Sequence, residues 1–263
     1  MKTEPLDWQR IASETGADVV WHTETGSTND DARQLALKGA AHGTAVLAEA
    51  QRYGRGRRGA AWISPPQRNL LCSVVLRPSL PVEKWSRLTH ACALAVCEAL
   101  EGIPDLPPPQ IKWPNDVYLR GRKVCGILVE SAVDARGSFA IAGVGINLNL
   151  TAGDLPEELR DSATSVWLER GGQPVSREAF AIQFLRRLHV NCLRAEKDIP
   201  ELLADCESRS YLSGKRISLL TGSETMEGLA AGLGPEGELR LVLPGGQIKL
   251  VSSADYVRPT DNK

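Results

Sequence analysis

Hydrophobic and polar positions alternate along the first 208 residues with two different spacings. Short apolar runs closed by turn residues predict strands, which fall at residues 19–22, 45–48, 69–76, 111–119, 124–131 and 139–150. Apolar side chains three or four positions apart predict helices at residues 28–38, 85–100 and over most of 164–208. Ser27 or Thr28 can cap the first of these helices, and Gly39 ends it. Strands and helices are therefore mixed up to this point.

The pattern changes after Ser213. Short strands are predicted at residues 216–220, 226–232, 239–243 and 248–251, separated by the turns Thr-Gly-Ser, Gly-Pro-Glu-Gly and Pro-Gly-Gly. Regular short strands of this kind predict a small β-barrel of about 50 residues. We therefore place a domain boundary near residue 212, with one domain over residues 1–212 and the barrel over 213–263. Within the first domain, residues 1–18 form a short extension with one amphipathic stretch.

Composition excludes several classes of protein. The 263 residues carry 31 Lys and Arg against 32 Asp and Glu, and 42% of them are hydrophobic, which is typical of a globular chain. No apolar run approaches the roughly 18 residues of a membrane span, and the acidic N-terminus lacks the apolar core of a signal peptide. The expectation is a soluble cytoplasmic protein. Six scattered cysteines and four histidines show no metal-ligand spacing, so no protein-built metal site is expected.

Residues 51–59 read Q-R-Y-G-R-G-R-R-G. The glycines let the backbone approach a ligand closely, and the arginines must face water or an anion because unpaired buried charges are costly. Arginine forks suit carboxylate and phosphate groups. A solvated basic turn, a segment that contacts RNA and a small-molecule phosphate site all remain open for this stretch.

Residues 111–116 read I-K-W-P-N-D. Pro114 holds Trp113 in extended geometry, and the Asn-Asp pair favours a turn. Lys112 can thus present its ammonium group from a fixed backbone to phosphate or carboxylate oxygens. A surface lysine beside a structural Trp-Pro corner is the alternative.

Three further stretches have both a structural and a ligand-binding interpretation. Residues 26–30 read G-S-T-N-D and either cap a helix or hold a polar ligand at its N-terminus. Residues 126–130 and 143–149 place glycines in apolar strands, which permits tight packing or leaves a floor for a flat ligand. Gly143-x-Gly145 lacks the third glycine and the following helix of a dinucleotide fingerprint, so that site is excluded.

The motifs GSTN, Q-R-x-G-R-G-R-R-G, KWPND, GILVE and GVGINLN, in this order, resemble the catalytic domain of biotin protein ligases. The resemblance is strong from about Trp21 to Asn149 and looser through the barrel. It implies an α/β (α+β) fold, in which a mixed sheet with packed helices forms a class II synthetase-like catalytic domain and an SH3-like β-barrel follows. Only about 18 residues precede the catalytic part, so the chain resembles the short, monofunctional form without an N-terminal DNA-binding domain.

The resemblance implies a function as well. Members of the family join biotin and ATP into biotinyl-5′-adenylate and pass the biotinyl group to one lysine of a carrier protein. The implied carrier is the biotin carboxyl carrier protein or domain of acetyl-CoA or pyruvate carboxylase. Mg²⁺ is implied with ATP; neither DNA nor a membrane is an expected partner, and an exposed sheet edge in this family often dimerises, so a homodimer is a further expectation.

The resemblance also implies roles for individual residues, at the positions of this sequence that match the motifs of the family. Biotin contacts are expected from Ser27, Thr28, Asn29, Gln51, Arg55, Gly56, Arg57 and Lys112. Adenylate contacts are expected from Arg57, Arg58, Trp113, Asn115, Asp116 and Asn147, over a floor that includes Gly126 and Gly143. Lys112, Arg57 and Arg55 are the expected catalytic cations, because two anions must be brought together. Asp116 is a candidate helper for deprotonating the carrier lysine.

Two rival functions stay open. A lipoate or octanoate ligase or transferase shares the fold and the logic of lysine acylation, although the Gly/Arg loop and KWPND are typical of the biotin branch. A nucleic-acid-binding module is less favoured, because the barrel has few basic residues. One departure from the family lies at residues 252–255, Ser-Ser-Ala-Asp, where many relatives carry Gly-Glu or Gly-Asp; Asp255 is the candidate replacement for that acid.

Overall fold

The computed structural model describes residues 5–260. Its larger sheet has seven strands in the order β1-β2-β3-β7-β6-β5-β4, parallel between β1 and β2 and antiparallel elsewhere. These strands are β1 (Val19–His22), β2 (Ala45–Ala48), β3 (Leu70–Leu76), β4 (Gln110–Lys112), β5 (Asp116–Leu119), β6 (Arg122–Asp134) and β7 (Gly137–Ile146). The helices are α1 (Trp8–Thr15), α2 (Thr28–Leu37), α3 (Ser86–Glu101), α4 (Val166–Glu169), α5 (Arg177–Lys197) and α6 (Ile199–Ser208).

Helices cover both faces of this sheet, but unequally. The larger hydrophobic core joins α3, α5 and α6 to one face. On the other face α2 packs through Ala32 and Ala36 against Val75, Phe139 and Ile141. The first turn of α2 ends over Gly143, and a cavity lies beside it on the same face.

The second sheet is antiparallel, in the order β11-β10-β9-β8-β12. Its strands are β8 (Arg216–Thr221), β9 (Glu224–Leu233), β10 (Leu239–Val242), β11 (Ile248–Val251) and β12 (Tyr256–Pro259). They enclose their own hydrophobic core. The predicted fold class, a mixed α/β domain followed by a small β domain, is confirmed.

Two details differ from the sequence prediction. The single strand predicted over 111–119 is two strands, β4 and β5, because the chain turns at residues 113–115. The last strand, β12, was not predicted, since its four residues stand between a Ser-rich turn and the C-terminus without a repeated apolar pattern.

The two sheets are joined by a turn of the second one. The carbonyl oxygen of Gly237 accepts hydrogen bonds from His90 Nε2 at 2.9 Å and from Trp113 Nε1 at 3.1 Å. Beside it, Arg87 pairs with Glu236 at 2.6 Å. The second sheet is therefore fixed to the start of α3 and to the turn between β4 and β5.

The outer edge of β6 is only partly covered. β5 pairs with it from Arg122 to Gly126, and within residues 5–260 no strand pairs with that edge beyond Ile127. No helix in the same range has the length and hydropathy needed to cross a membrane.

Candidate active site

A cavity of about 230 Å³ lies on the open end of the larger sheet, and glycines form its floor. An added Cβ at Gly145 would lie 2.5 Å from the ring of Trp62, and one at Gly126 would lie 2.9 Å from it. A Cβ at Gly143 would overlap the amide of Asn29. The three glycines therefore let the Trp62 ring and the Asn29 amide pack directly on the strands, and any side chain at these positions would displace them.

The N-terminus of α2 and a buried polar network close one end of the cavity. Gln51 Oε1 accepts from the Thr28 amide at 2.7 Å and from Thr28 Oγ1 at 2.9 Å. Ser73 Oγ lies 2.7 Å from Thr28 Oγ1 and 2.6 Å from Asn29 Oδ1. Asn29 Nδ2 donates to Glu130 Oε2 at 2.7 Å. These groups are held in fixed orientations, and Ser27 completes this wall.

The lysine that lines the cavity is Lys123. Its Nζ lies 2.7 Å from Asp116 Oδ1 and 5.6 Å from the centre of the Trp62 ring. Lys112, the lysine expected from sequence, lies two strands farther out, on β4. Its Nζ donates to the Tyr118 hydroxyl at 3.0 Å, and burial lowers its pKa. Lys112 is absent from the described residues that line this cavity.

The Gly/Arg loop lies over the cavity and is tied down at three points. Arg55 forms a two-armed pair with Asp30 at 2.7 and 2.6 Å, which lowers the pKa of that carboxyl group. Arg57 donates to Asn115 Oδ1 at 3.1 Å and to the carbonyl of Ala254 at 2.9 Å. Arg55, Gly56 and Arg57 line the cavity, and Arg58 pairs with Asp255, which lines the cavity just before β12.

A second space lies on the other side of Trp62, with a volume of about 240 Å³. Ala61, Trp62 and Lys123 line both spaces. The second is largely apolar, and its remaining lining is Ile63, Tyr118, Asn147, Leu150, Leu155, Leu159, Ser162 and Ala163. Asn147, expected at the nucleotide, lies here, with Nδ2 donating to the carbonyl of Thr164 at 3.0 Å.

The residues after Lys112 separate into different environments. Asn115 and Asp116 line the main cavity. Trp113 does not; it is buried in the core of the second sheet, where its indole N–H bonds Gly237. Its position joins the two sheets, and it borders the cleft between them, so the nucleotide contact expected of Trp113 stays a prediction.

Comparisons with known proteins agree with this geometry. Residues 21–147 match the Biotin/lipoate A/B protein ligase family, and residues 212–256 match the Biotin protein ligase C terminal domain. The biotin--[acetyl-CoA-carboxylase] ligase of Mycobacterium tuberculosis is 34% identical over 264 residues, covering 96% of this chain and 96% of that protein. The chain belongs to the biotin protein ligase family.

Two further relatives support the assignment. The bifunctional ligase/repressor BirA of Bacillus subtilis is 34% identical over 245 residues, which cover 91% of this chain and 74% of that protein. The solved structure of the biotin protein ligase from Aquifex aeolicus in complex with biotin and ATP superposes with a TM-score of 0.79 at 30% identity, over 92% of this chain and 99% of that one. The family predicted from the five motifs is thereby confirmed, and it favours a ligase over a nucleic-acid-binding module.

Sequence reasoning did not include three residues that line this cavity: Trp62, Lys123 and Gly145. Gly145 lies inside the motif GVGINLN and could have been included with Gly143. Trp62 stands three residues beyond the Gly/Arg loop, and an aromatic residue there carried no signal without the glycines it faces.

Proposed function

We propose that this protein is an ATP-dependent, AMP-forming biotin ligase. It activates biotin as biotinyl-5′-AMP and transfers the biotinyl group to a lysine of a biotin carboxyl carrier protein. The observation that carries the proposal is the pair of spaces that share Lys123 and Trp62. A molecule with a polar ring at one end, an apolar base at the other and a charged junction between them fits this arrangement.

The closed end of the main cavity suits the ureido ring of biotin. A ureido group offers one carbonyl acceptor and two N–H donors, and Ser27, Thr28, Asn29 and Gln51 supply hydroxyl and amide groups there. Trp62, Leu71 and Val144 also line the cavity and offer apolar contacts for the valeryl chain. The carboxylate of biotin then lies toward Lys123 and the Gly/Arg loop.

Joining a carboxylate to the α-phosphorus of ATP brings two anions together, so cations must offset their repulsion. We assign this role to Lys123, Arg57 and Arg55, and we assign Lys112 a structural contact with Tyr118 instead. The biotin carboxylate oxygen attacks the α-phosphorus, and pyrophosphate leaves. The Gly/Arg loop, held by Asp30 and by the second sheet, keeps the adenylate from water.

The apolar space beyond Trp62 suits the adenine base. Ile63, Leu150 and Leu155 offer apolar contacts, and Asn147 stands at the same wall. Arg58 acts indirectly in this proposal: its pair with Asp255 holds the loop. Asp255 thus takes the place of the Gly-Glu or Gly-Asp acid of many relatives.

Magnesium enters with ATP as part of the substrate. Magnesium prefers phosphate, water and carboxylate oxygens, and the carboxylates of Asp116 and Asp255 line the cavity. No group of three His, Cys, Asp or Glu side chains able to hold a metal was found in residues 5–260. The residues present therefore fit an ion that is carried by the phosphates, with Asp116 as the adjacent carboxylate. Bound there, the ion would supply positive charge to the reacting oxygens.

The transfer step needs a neutral lysine amine. Asp116 lies beside Lys123 and can accept a proton from the incoming ammonium group. The carrier of acetyl-CoA or pyruvate carboxylase is the partner we propose, and the use of ATP favours the cytoplasm as the location. The free outer edge of β6 also offers backbone groups for pairing with a second copy of the chain, which size-exclusion chromatography with light scattering would test.

The direct test is mass spectrometry of a purified carrier domain after incubation with the protein, ATP, Mg²⁺ and one acid. With biotin, the carrier should gain one biotinyl group at a single lysine, and omission of ATP should abolish the gain. A gain of mass with lipoate or octanoate but not with biotin would indicate a lipoate or octanoate ligase instead. A carrier in which the lysine is replaced by arginine is the matched control.

A further inference from the structure

A third space lies between the catalytic domain and the second sheet. It has a volume of about 210 Å³ and adjoins the main cavity, because four residues line both: Arg57, Asn115, Ile127 and Leu128. Its other walls come from the first turns of α3, from Trp113 and Pro114, from Gly237 and from the Ser252-Ser253 turn. Neither the biotin ring nor the adenine base is assigned to this cleft.

We propose that this cleft is the port through which the acceptor lysine of the carrier reaches the biotinyl-adenylate. The inference rests on the proposed function and adds a route for the second substrate. In the step itself, the lysine nitrogen attacks the acyl carbon and forms an amide bond. The bond from that carbon to the phosphate oxygen breaks, AMP leaves with the electron pair, and the protons released from nitrogen pass to Asp116 or to water.

The Gly/Arg loop obstructs the direct approach over the main cavity. Arg55 fastens the loop to Asp30 at the start of α2, and Arg58 fastens it to Asp255. With the loop closed, the adenylate is covered on that side. Arg57 then stands as the partition between the adenylate and the cleft, fixed by Asn115 and by the carbonyl of Ala254.

The dimensions of the cleft suit one unbranched side chain. Short side chains border it on both domains: Ser86 and Thr89 on α3, and Ser252 and Ser253 on the second sheet. The two serines of the second sheet and Ser86 are exposed, while His90, Trp113 and Ile127 lie buried at depth. A lysine on a protruding turn of a carrier can enter such a space, whereas the carrier domain itself stays outside.

The electrostatics of the cleft favour the reactive form of the nucleophile. Of the described residues that line it, none is a carboxylate, and the one permanent charge is the Arg57 guanidinium. A cation next to an amine in a partly desolvated space favours the neutral amine over the ammonium. The neutral amine is the form that attacks an acyl phosphate.

His90 closes the deep end of the cleft as a neutral ring. Its Nε2 is bonded to the Gly237 carbonyl, which can only accept, so Nε2 carries the proton. Burial lowers the pKa of His90, so the ring adds no positive charge to the cleft.

The test is to obstruct the cleft with Ser253→Trp, and from the opposite wall with Ser86→Trp. Thr225→Trp, on an exposed position of the same small sheet outside the spaces described above, is the matched control. Three rates are compared for each folded variant: biotin-dependent ATP–pyrophosphate exchange, capture of activated biotin by hydroxylamine, and labelling of a purified carrier domain.

We expect both cleft variants to keep exchange and hydroxylamine capture within about twofold of wild type. Their kcat/KM for the carrier should fall by about tenfold or more, because the amine can no longer reach its position. Thr225→Trp should change none of the three. Unchanged carrier labelling in both cleft variants would overturn the port, and so would an equal loss in all three rates. Absence of biotin-dependent exchange in the wild type would instead refute the proposed function.

Discussion

Replacing Lys123 by methionine removes one positive charge at the junction of the two ligand spaces and keeps most of the side-chain volume. Lys123 lies 2.7 Å from Asp116 and is about one-third exposed. Two unit charges about 4 Å apart attract by about 4 kcal/mol at an effective dielectric constant of about 20. Since about 1.4 kcal/mol corresponds to a tenfold change in rate, and partial exposure weakens the attraction, adenylate formation should slow by about 10²–10³-fold.

The assay is ATP–pyrophosphate exchange at saturating biotin. Lys112→Met is the matched control, because Lys112 lies two strands away, where its Nζ donates to the Tyr118 hydroxyl and does not line the cavity. The double variant Lys123→Met with Asp116→Asn should be as slow as the single one, which separates the loss of the cation from the effect of an unpaired carboxylate. The reasoning is refuted if Lys112→Met loses as much exchange as expected for Lys123→Met, while Lys123→Met stays near wild type.

Three other changes have defined outcomes. Gly145→Ala should raise the KM for biotin at least about tenfold, because the new methyl group displaces the tryptophan ring 2.5 Å away; Gly153→Ala, which meets only an ordinary contact, should not. Arg57→Gly should release activated biotin, so that bystander lysines become labelled, which a streptavidin blot detects. The control variant Arg52→Gly, which keeps Arg57, should label the carrier alone. Burial lowers the pKa of His90 below its ordinary 6.5, so the unfolded chain binds the extra proton first as pH falls. The stability that the neutral ring contributes is therefore present above about pH 6.5 and lost below it; the drop in Tm between about pH 7.5 and about 5.5 should be smaller in His90→Gln.

Much of the fold could be predicted because local signals agreed with the tertiary structure. The strands of the α/β domain were bounded by turn residues, and the helix beginning at Thr28 begins where the Gly-Ser pair stands. The barrel strands repeated at regular spacing. The chain reversal between β4 and β5 was harder to see, because Ile111–Leu119 is apolar enough on one side to be a single strand.

The choice between Lys112 and Lys123 was not available from sequence for a specific physical reason. In a regular strand, residues 123 and 126 point to opposite faces, so Lys123 would face away from the Gly126 floor. The ladder between β5 and β6 shifts register at this point: Tyr118 pairs with Lys123, but Val117 pairs with Cys125. This bulge returns Lys123 to the same face as Gly126. No residue type near Lys123 in the sequence indicates the extra residue of this bulge.

The placement of Trp113 illustrates a second limit. Its neighbours Asn115 and Asp116 line the main cavity, but its indole is buried in the second sheet, 3.1 Å from the Gly237 carbonyl. That contact joins residues 124 positions apart in the chain. A motif shows which residues stand together along the chain, and only the packing of the two domains decides which of them face the ligand.

The most direct test of the central claim is ATP–pyrophosphate exchange with the wild-type protein, with biotin, lipoate or octanoate as the one added acid. Exchange that depends on biotin and is absent with lipoate and octanoate is the expected result. It would establish the adenylation step in a site with a polar ring-binding end and a cationic junction at Lys123. Exchange with lipoate instead, or with none of the three acids from a folded protein, would contradict the assignment.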